Sequence, residues 1–214
     1  MQDKKIHTQF IQKIKKIVES NPPVKLPEVN FDHKIYHNPI IDSIATFSDE
    51  LTKVSGQYIY FDHLNELKSN FTQLIDTKKW DNIFCKEPFI QNILSELNIS
   101  YHSDESHFYE TQTGITLCEF LIARFGTIMV SSKSASGRRL HVYPEKHVVI
   151  AFTSQMVNEI SEAYTNILKK YQSEPPSLIS LITGPSRTAD IEKTLVLGAH
   201  GPKELCVILV NDKK

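Results

Sequence analysis

The sequence has few cysteines and none of the cysteine spacings that bind metals or clusters. Its three cysteines, Cys85, Cys118 and Cys206, are odd in number and far apart along the chain. They therefore supply neither a disulfide framework nor a CxxC motif for zinc or an iron–sulfur cluster. This usage is typical of a reducing compartment, and we expect a cytoplasmic protein.

A strong excess of charge and a long apolar run are also missing. The 214 residues carry a formal net charge of −1 with a pI of about 6.8, so bulk charge does not favour nucleic acid or an anionic membrane as partner. No stretch approaches the roughly 18 apolar residues that a membrane span requires. Residues 1–16 alternate charged and apolar side chains, so we expect no secretory signal there.

The apolar content, 40% of the chain, is enough for one domain with a sizeable core. Residues 1–54 are predicted to be a helical appendage and linker, in which a proline-rich stretch at 22–39 separates two amphipathic helices. The second of these helices is predicted at 42–54. The apolar face of the first helix comprises Ile6, Phe10, Ile14, Ile17 and Val18.

Residues 55–214 are predicted to form the main domain, in which strand and helix patterns alternate as in α/β proteins. Asp62 is a candidate cap for a helix, and Pro88 fits the first turn of the next one. The predicted strands are 58–61, 82–85, 126–130, 148–152, 178–182 and 205–210, and the predicted helices are 63–75, 88–97 and 153–171.

The richest candidate site is the stretch from Thr183 to Pro202, TGPSRTADIEKTLVLGAHGP, between two predicted strands. A turn rich in small residues after a buried strand is where open α/β sheets hold ligands. Gly184 lets the backbone approach a ligand closely, and Ser186 or Thr188 is expected to cap a helix through residues 192–197. The plain alternative is loop chemistry with helix caps and no ligand.

Charged residues of the same stretch are candidate functional groups. Asp190 and Glu192 are expected in the first turns of that helix, where the helix dipole favours carboxylates. Because they compete with an anionic ligand for the same amides, we expect them to organise Arg187 or His200 instead. Gly198 is expected to end the helix in a left-handed conformation.

A second candidate is the loop Ser131–Gly137, SSKSASG, which is followed by two arginines. Lys133 with Arg138 or Arg139 is able to clamp an anion such as a carboxylate or phosphate. The alternative is a solvated basic turn, since no GxGxxG or GxxxxGK[ST] spacing is present.

Glu119 is a third candidate, because it is a lone carboxylate in the apolar stretch 114–127. If partly buried, it is expected to have a raised pKa and to act as an acid, base or nucleophile. The alternative is an exposed position on a short helix. Cys118 beside it is expected in the core.

Two histidine pairs offer weak metal signals. His33 and His37 have helical i, i+4 spacing, but Asn38-Pro39 disrupts that helix and no third ligand is nearby. The loop from His102 to His107 gathers two histidines and two carboxylates, which a polar surface loop explains equally well. We expect no metal site.

The tail from Gly184 to Val210 resembles the C-terminal signature of the lactate-utilisation protein C family, a branch of the LUD-domain proteins. That signature is GPSxTADIE followed by GxHGP, and this chain reads GPSRTADIE and GAHGP. Upstream, the residues Gly114, Thr116 and Cys118 followed by Ala123, Gly126 and Thr127 are similar to a second family stretch. There Arg124 and Phe125 replace the usual Glu and Thr.

The resemblance implies a fold like that of glucosamine-phosphate deaminase, ribose-phosphate isomerase and CoA transferases, a Rossmann-like three-layer α/β sandwich. It also implies an accessory subunit without a cluster, acting with iron–sulfur oxidoreductase subunits that convert L-lactate to pyruvate. The clusters are then expected on the partner, with no cofactor on this chain.

The alternative function is a stand-alone enzyme on a sugar phosphate or CoA thioester, which is based on the fold analogy and on the loop with Lys133, Arg138 and Arg139. The expected catalytic candidates are His200, Asp190 and Glu119. A small carboxylate or another substrate is expected to contact Gly184, Ser186, Arg187, Thr188, Glu192, Lys133 and Arg138.

Overall fold

The computed structural model describes residues 11–17, 19–20, 38–188 and 196–213. The chain divides into two compact units, Met1–Pro39 and Ile40–Lys214. Within these described segments, no helix combines the length and the apolar character needed to cross a membrane.

In the first unit, residues 11–17 and 19–20 are helical, which agrees with the predicted first helix over this part. Three of its apolar side chains are exposed, namely Ile11, Ile14 and Ile17. The predicted apolar positions at 6, 10 and 18 and the linker at 22–37 lie outside the described residues.

The second unit alternates strands and helices, as predicted. Its helices are α1 (Ser43–Lys53), α2 (Leu64–Lys78), α3 (Pro88–Glu96) and α4 (Ile160–Tyr171). Its strands are β1 (Gln57–Phe61), β2 (Ile83–Phe84), β3 (Thr113–Thr116), β4 (Phe120–Ile122), β5 (Thr127–Ser131), β6 (Lys146–Phe152), β7 (Met156–Val157), β8 (Ile179–Ile182), β9 (Arg187–Thr188), β10 (Val196–Leu197) and β11 (Glu204–Val210).

A parallel sheet in the order β1-β11-β6-β3-β2 forms the centre of this unit. Successive residues of a strand point to opposite faces, so β6 contributes to two separate cores. Val148 and Ile150 pack with buried residues of α2 and α3, whereas Val149 and Ala151 pack with α1 and the second sheet. Burial on both faces explains why β6 and β11 are nearly continuous apolar runs.

The second sheet has the order β7-β4-β5-β8 and mixes parallel with antiparallel pairs. Ile128 and Val130 of β5 face the parallel sheet. Met129 on the opposite face packs with Ala163 and Ile167 of α4. The second sheet therefore lies between the parallel sheet and α4.

Helix α1 belongs to the core of the second unit. The Asp42 carboxylate accepts hydrogen bonds from the backbone N–H groups of Ile44 and Ala45, both at 3.0 Å, which begins the helix. Phe47 and Leu51 are 0% exposed and pack against the second sheet and the parallel sheet. The sequence placed the start of the main domain at residue 55, whereas the compact unit begins at Ile40.

Two local predictions were wrong. The stretch predicted as one helix over 153–171 begins with a 3₁₀ turn at Thr153–Gln155 and strand β7, because Met156 and Val157 pair with β4. The cap of α2 is His63 rather than Asp62. The His63 Nδ1 atom accepts from the backbone N–H of Glu66 at 3.0 Å, and Glu66 in turn accepts from the N–H of Asp62.

Candidate active site

A small cavity of about 240 Å³ opens at the carboxyl ends of β2 and β3. Leu117 and Cys118 follow β3 directly, and Glu87 follows β2. In open α/β sheets the crevice outside the carboxyl ends of the strands is the usual ligand site. The remaining lining residues come from the position just before β4, from β5 and its following loop, and from the end of α4: Glu119, Val130, Ser131, Lys133, Ser134, Ala135, Lys170 and Tyr171.

The Glu119 side chain is buried in the wall of this cavity and accepts three hydrogen bonds. Its Oε1 atom accepts from the Ser131 hydroxyl at 2.5 Å and from the Tyr171 hydroxyl at 2.8 Å. Its Oε2 atom accepts from Lys170 Nζ at 2.8 Å. Strand β5 fixes the Glu119 backbone just before β4, because the Glu119 N–H donates to the Met129 carbonyl at 2.8 Å.

These donors keep Glu119 ionised. Burial pushes the pKa of Glu119 upward, but the hydrogen bonds from Lys170, Ser131 and Tyr171 outweigh it, so this pKa lies below its ordinary value. The raised pKa expected from the sequence was therefore wrong. Tyr171 has a raised pKa because of burial and its bond to Glu119, and the pKa of Lys170 is raised because Glu119 outweighs its burial.

Lys133 adds a second cation to the cavity wall. Its Nζ atom lies 3.3 Å from the carboxylate of Glu174, whose side chain is largely exposed. The buried Glu87 holds the loop that carries Lys133, because its carboxylate accepts from the Ser136 N–H at 3.0 Å and the Ser136 hydroxyl at 2.5 Å. The loop is thus pinned next to the Glu119–Lys170 pair.

The two arginines after this loop contact other groups. Arg138 donates to the Ser177 hydroxyl at 2.6 Å. Arg139 pairs with Glu105 and lies over the Phe108 ring, 4.3 Å from its centroid. Of the three predicted anion-binding cations, only Lys133 lines the Glu119 cavity.

The stretch with the strongest sequence signal has a different geometry from the one predicted. Strands β9 and β10 pair antiparallel, so Thr188, a predicted cap, and residues 196–197, the predicted end of the helix, are in strands instead. Residues 192–195 of the predicted helix lie outside the described residues. Gly198 has the predicted left-handed conformation, with φ of +76°. The Ser186 N–H donates to the Pro202 carbonyl at 2.8 Å, which joins the start of β9 to the turn before β11.

His200 lies in a second, larger cavity of about 680 Å³. Glu145 and Lys203 in its wall directly precede β6 and β11, so this cavity is at the amino ends of the parallel strands. Residues 179–182 of the predicted strand 178–182 belong to the second sheet, as β8. The strand before the predicted ligand-binding turn is therefore not part of the parallel sheet. For this reason the turn does not lie at the carboxyl ends of the parallel strands.

The other predicted residues of this stretch are placed as follows. Arg187 donates to the Val54 carbonyl at the end of α1. Gly184 has φ of +80°, and a Cβ there would lie 2.5 Å from the same Val54 carbonyl oxygen. Thr188 is in β9, while Asp190 and Glu192 lie outside the described residues.

The comparisons with known proteins agree with the motif resemblance. The family model described as LUD domain matches residues 12–210. The chain belongs to the LUD domain family. A crystal structure of a DUF162 family protein from Deinococcus radiodurans has a similar fold, with a TM-score of 0.59 and 18% identity, covering 78% of this chain and 96% of that one. The predicted three-layer α/β fold of this LUD domain is confirmed.

Curated proteins named Lactate utilization protein C are similar to this LUD domain protein over about half of its length. The protein from Geobacillus thermodenitrificans is 35% identical over 106 residues, covering 49% of this chain and 44% of the relative. Those from Shouchella clausii and Bacillus subtilis are 37% and 36% identical, covering 47% and 49% of this chain. Each match covers 44% of the relative's own length.

Arg124, which departs from the family stretch, forms an ion pair across two elements. Its Nε and Nη2 atoms lie 2.6 and 2.5 Å from Glu159 Oε1, at the start of α4. Its backbone N–H donates to the Asn158 carbonyl at 3.3 Å. This position therefore joins the second sheet to α4 in this LUD domain.

Sequence reasoning found Glu119 and Lys133 but missed Glu87, Lys170 and Tyr171. Lys170 and Tyr171 are 51 and 52 residues from Glu119, so no local spacing connects them. The available signal was the run of residues 153–171 with helical periodicity, which places Lys170 and Tyr171 near its end. Nothing in that run indicates a buried partner.

Proposed function

We propose that this LUD domain protein is an accessory subunit of a lactate-utilisation system and binds L-lactate or pyruvate in the Glu119 cavity. Iron–sulfur oxidoreductase subunits would be its partners and would carry the clusters. The observation that carries the proposal is an ionised carboxylate beside two lysines in a small cavity, in a chain similar to Lactate utilization protein C.

The chemistry of a 2-hydroxy acid matches the groups in this cavity. Lactate carries a carboxylate, which Lys133 and the half-exposed Lys170 are able to pair with. It also carries a hydroxyl on the adjacent carbon, and the ionised Glu119 is an acceptor for that proton. A volume of about 240 Å³ suits a ligand of this size better than a nucleotide.

The oxidation itself needs an electron acceptor, because lactate loses two electrons and two protons on conversion to pyruvate. Burial raises the pKa of Cys85 and of Cys206 to about 12, and it also raises the pKa of Cys118. The three thiols are buried and free, which makes them poor cluster ligands. This supports a role in substrate handling, with electrons passing through partner subunits.

The alternative of a stand-alone enzyme on a sugar phosphate or CoA thioester is less well supported. That hypothesis relied on Lys133, Arg138 and Arg139 acting together on an anion. Arg138 and Arg139 instead pair with Ser177 and Glu105. A single lysine on the loop is a weak basis for binding a phosphate group.

Calorimetric titration of the purified chain with L-lactate, pyruvate and propionate tests the binding site. Propionate lacks the hydroxyl, so we expect it to bind more weakly than lactate. We expect Lys133→Ala and Glu119→Gln each to weaken lactate binding about tenfold, which corresponds to about 1.4 kcal/mol. Lys68→Ala, which removes an exposed lysine paired with Glu96, is the matched control and should leave affinity unchanged.

A second experiment tests the accessory role directly. The tagged chain is recovered from native anaerobic lysate, and the material is assayed for iron and lactate-dependent dye reduction. We expect an iron-bearing partner to be recovered and Glu119→Gln to lower activity without lowering recovery. Unchanged lactate oxidation by a reconstituted complex that lacks this chain would refute the accessory role.

A further inference from the structure

The turn from His102 to His107 lies beside β2 and has a fixed backbone. The His102 N–H donates to the Ile83 carbonyl at 2.8 Å, and the His102 carbonyl accepts from the Cys85 N–H at 2.9 Å. These two bonds form a bridge between His102 and Phe84 at the edge of the parallel sheet. His102 is therefore held by the sheet rather than by the turn alone.

A short 3₁₀ helix, Glu105–Glu110, is anchored at the other end of the turn. Phe108 is 3% exposed, and its ring packs edge-on against Phe84 with centroids 5.4 Å apart. Glu105 pairs with both Lys86 and Arg139, which tie it to two neighbouring loops. The side chains between these anchors are thus brought together by surrounding structure.

Three side chains with metal-binding atoms converge in this turn. His107 Nδ1 lies 3.1 Å from each carboxylate oxygen of Asp104. The rings of His102 and His107 are stacked, with centroids 4.2 Å apart and planes at 11°. One ligand atom from each residue lies within 4.8 Å of the others.

These separations are close to those of a tetrahedral metal site. Bonds of about 2.0–2.2 Å to zinc place neighbouring ligand atoms about 3.3 Å apart. The Asp104–His107 pair already has this separation, and all three side chains are partly or fully exposed, so small rotations suffice to bring in His102.

We propose that His102, Asp104 and His107 bind one divalent transition-metal ion, with Zn²⁺ as the expected occupant. Two imidazoles and one carboxylate suit zinc rather than magnesium or calcium, which prefer oxygen ligands. Three protein ligands leave a fourth position open to water or to an external ligand. None of the three residues lines the Glu119 cavity, so the site is independent of the proposed lactate function.

Titration of the full-length chain without a polyhistidine tag tests the site, with Zn²⁺ alone as probe and a chromophoric chelator as competitor. We expect one equivalent to bind. His102→Ala, Asp104→Asn and His107→Ala are each expected to weaken binding at least about tenfold. His63→Asn removes another exposed histidine while keeping a capping side chain, and it should bind as the original chain does.

Co²⁺ provides a second readout, because a tetrahedral site gives it an intense visible absorption band. Asp104→Asn preserves an acceptor for the Ser106 N–H, so loss of the band in this variant is not caused by loss of the turn. Circular dichroism in EDTA checks that each variant is folded. Absence of stoichiometric binding, or unchanged affinity in any of the three ligand variants, would overturn the proposal.

Discussion

Glu119 is a buried carboxylate that its neighbours keep ionised, and this makes it a source of stability as well as a candidate functional group. Glu119→Gln keeps the shape and one oxygen acceptor but removes the charge opposite Lys170. We expect a loss of about 1–2 kcal/mol in the free energy of unfolding at pH 7. We do not expect the larger loss of stability that follows when a fully buried ion pair is broken, because the Lys170 side chain is 54% exposed.

Urea unfolding at pH 7 measures this loss, and Glu96→Gln supplies the comparison. Glu96 pairs with Lys68 at 2.5 Å on the surface, where ion pairs contribute at most about 1 kcal/mol. Since the pKa of Glu119 is lowered, its contribution is present above the unfolded pKa of about 4.3 and is lost as pH falls through the folded value. Equal losses in the free energy of unfolding of Glu119→Gln and Glu96→Gln would mean that the buried Glu119 contributes no more than a surface carboxylate.

His141 and His147 are buried histidines that, like Glu119, lower stability in acid, but they do so at a higher pH. Burial lowers the pKa of His141 to about 4, with a smaller opposing effect from the Gly137 backbone. Burial and the neighbouring His141 lower the pKa of His147 to about 3. Below pH 6.5 the unfolded chain therefore binds protons that the folded chain does not, so stability falls by up to about 1.4 kcal/mol per pH unit for each histidine.

The free energy of unfolding measured between pH 7.5 and about 5.5 tests this effect, because Glu119 stays ionised in both the folded and the unfolded chain over this range. We expect stability to decrease steadily below pH 6.5. His141→Asn combined with His147→Asn is expected to flatten this dependence even if it lowers stability at pH 7. His63→Asn, at an exposed position, serves as the control, and a slope that the double variant leaves unchanged would exclude the buried pair as its origin.

At the scale of elements, the contact between α1 and the turn at Ala123–Phe125 depends on a glycine. Gly126 has φ of +58°, and a Cβ there would lie 2.2 Å from the Leu51 backbone nitrogen. Gly137 has a similar φ of +64° but nothing within 4 Å of a Cβ. We expect Gly137→Ala to cost about 1–2 kcal/mol and Gly126→Ala at least about 3 kcal/mol, because only the latter also displaces backbone.

The free energies of unfolding of the two alanine variants, measured side by side in urea, separate backbone strain from crowding. The shared left-handed conformation cancels in the difference between them. A difference near zero would mean that α1 moves away from the turn without cost. A Gly126→Ala chain that fails to unfold cooperatively would agree with the close contact.

Elements with strong local patterns were predictable from the sequence, and long-range contacts were not. Strands β6 and β11 are nearly continuous apolar runs because both faces are buried, and α1 shows its Asp42 cap and its Phe47 and Leu51 face in the sequence. The turn between Thr153 and Asn158 fits a helical pattern locally, but pairing of β7 with β4 determines its structure. The local sequence pattern does not indicate a pairing between strands that are distant in sequence.

The same limit applies to the candidate site. A lone carboxylate in an apolar stretch identified Glu119, but its ionisation depends on Lys170 and Tyr171, which are distant in sequence. The motif-rich stretch at 183–202 attracted the strongest functional expectation. Its described part contains the antiparallel pair of β9 and β10, and its turn with His200 lies at the other end of the parallel strands.

At the scale of the whole molecule, the start of the folded unit is testable by truncation. Chains beginning at residue 40 and at residue 55 differ only by residues 40–54, so the comparison isolates α1. Phe47 and Leu51 are both 0% exposed, and truncating one such side chain to alanine alone costs about 2–5 kcal/mol. Losing both approaches the total stability of a typical domain, about 5–15 kcal/mol.

We therefore expect the chain beginning at residue 55 to lose cooperative urea unfolding and the chain beginning at residue 40 to keep it. The full-length Phe47→Ala and Leu51→Ala variants control for effects of the new terminus, and each should lower the free energy of unfolding by several kcal/mol. The same unfolding midpoint in both truncated chains would support the predicted boundary at residue 55. It would also mean that the second sheet and the parallel sheet close their shared core without α1, which the complete burial of Phe47 and Leu51 between them argues against.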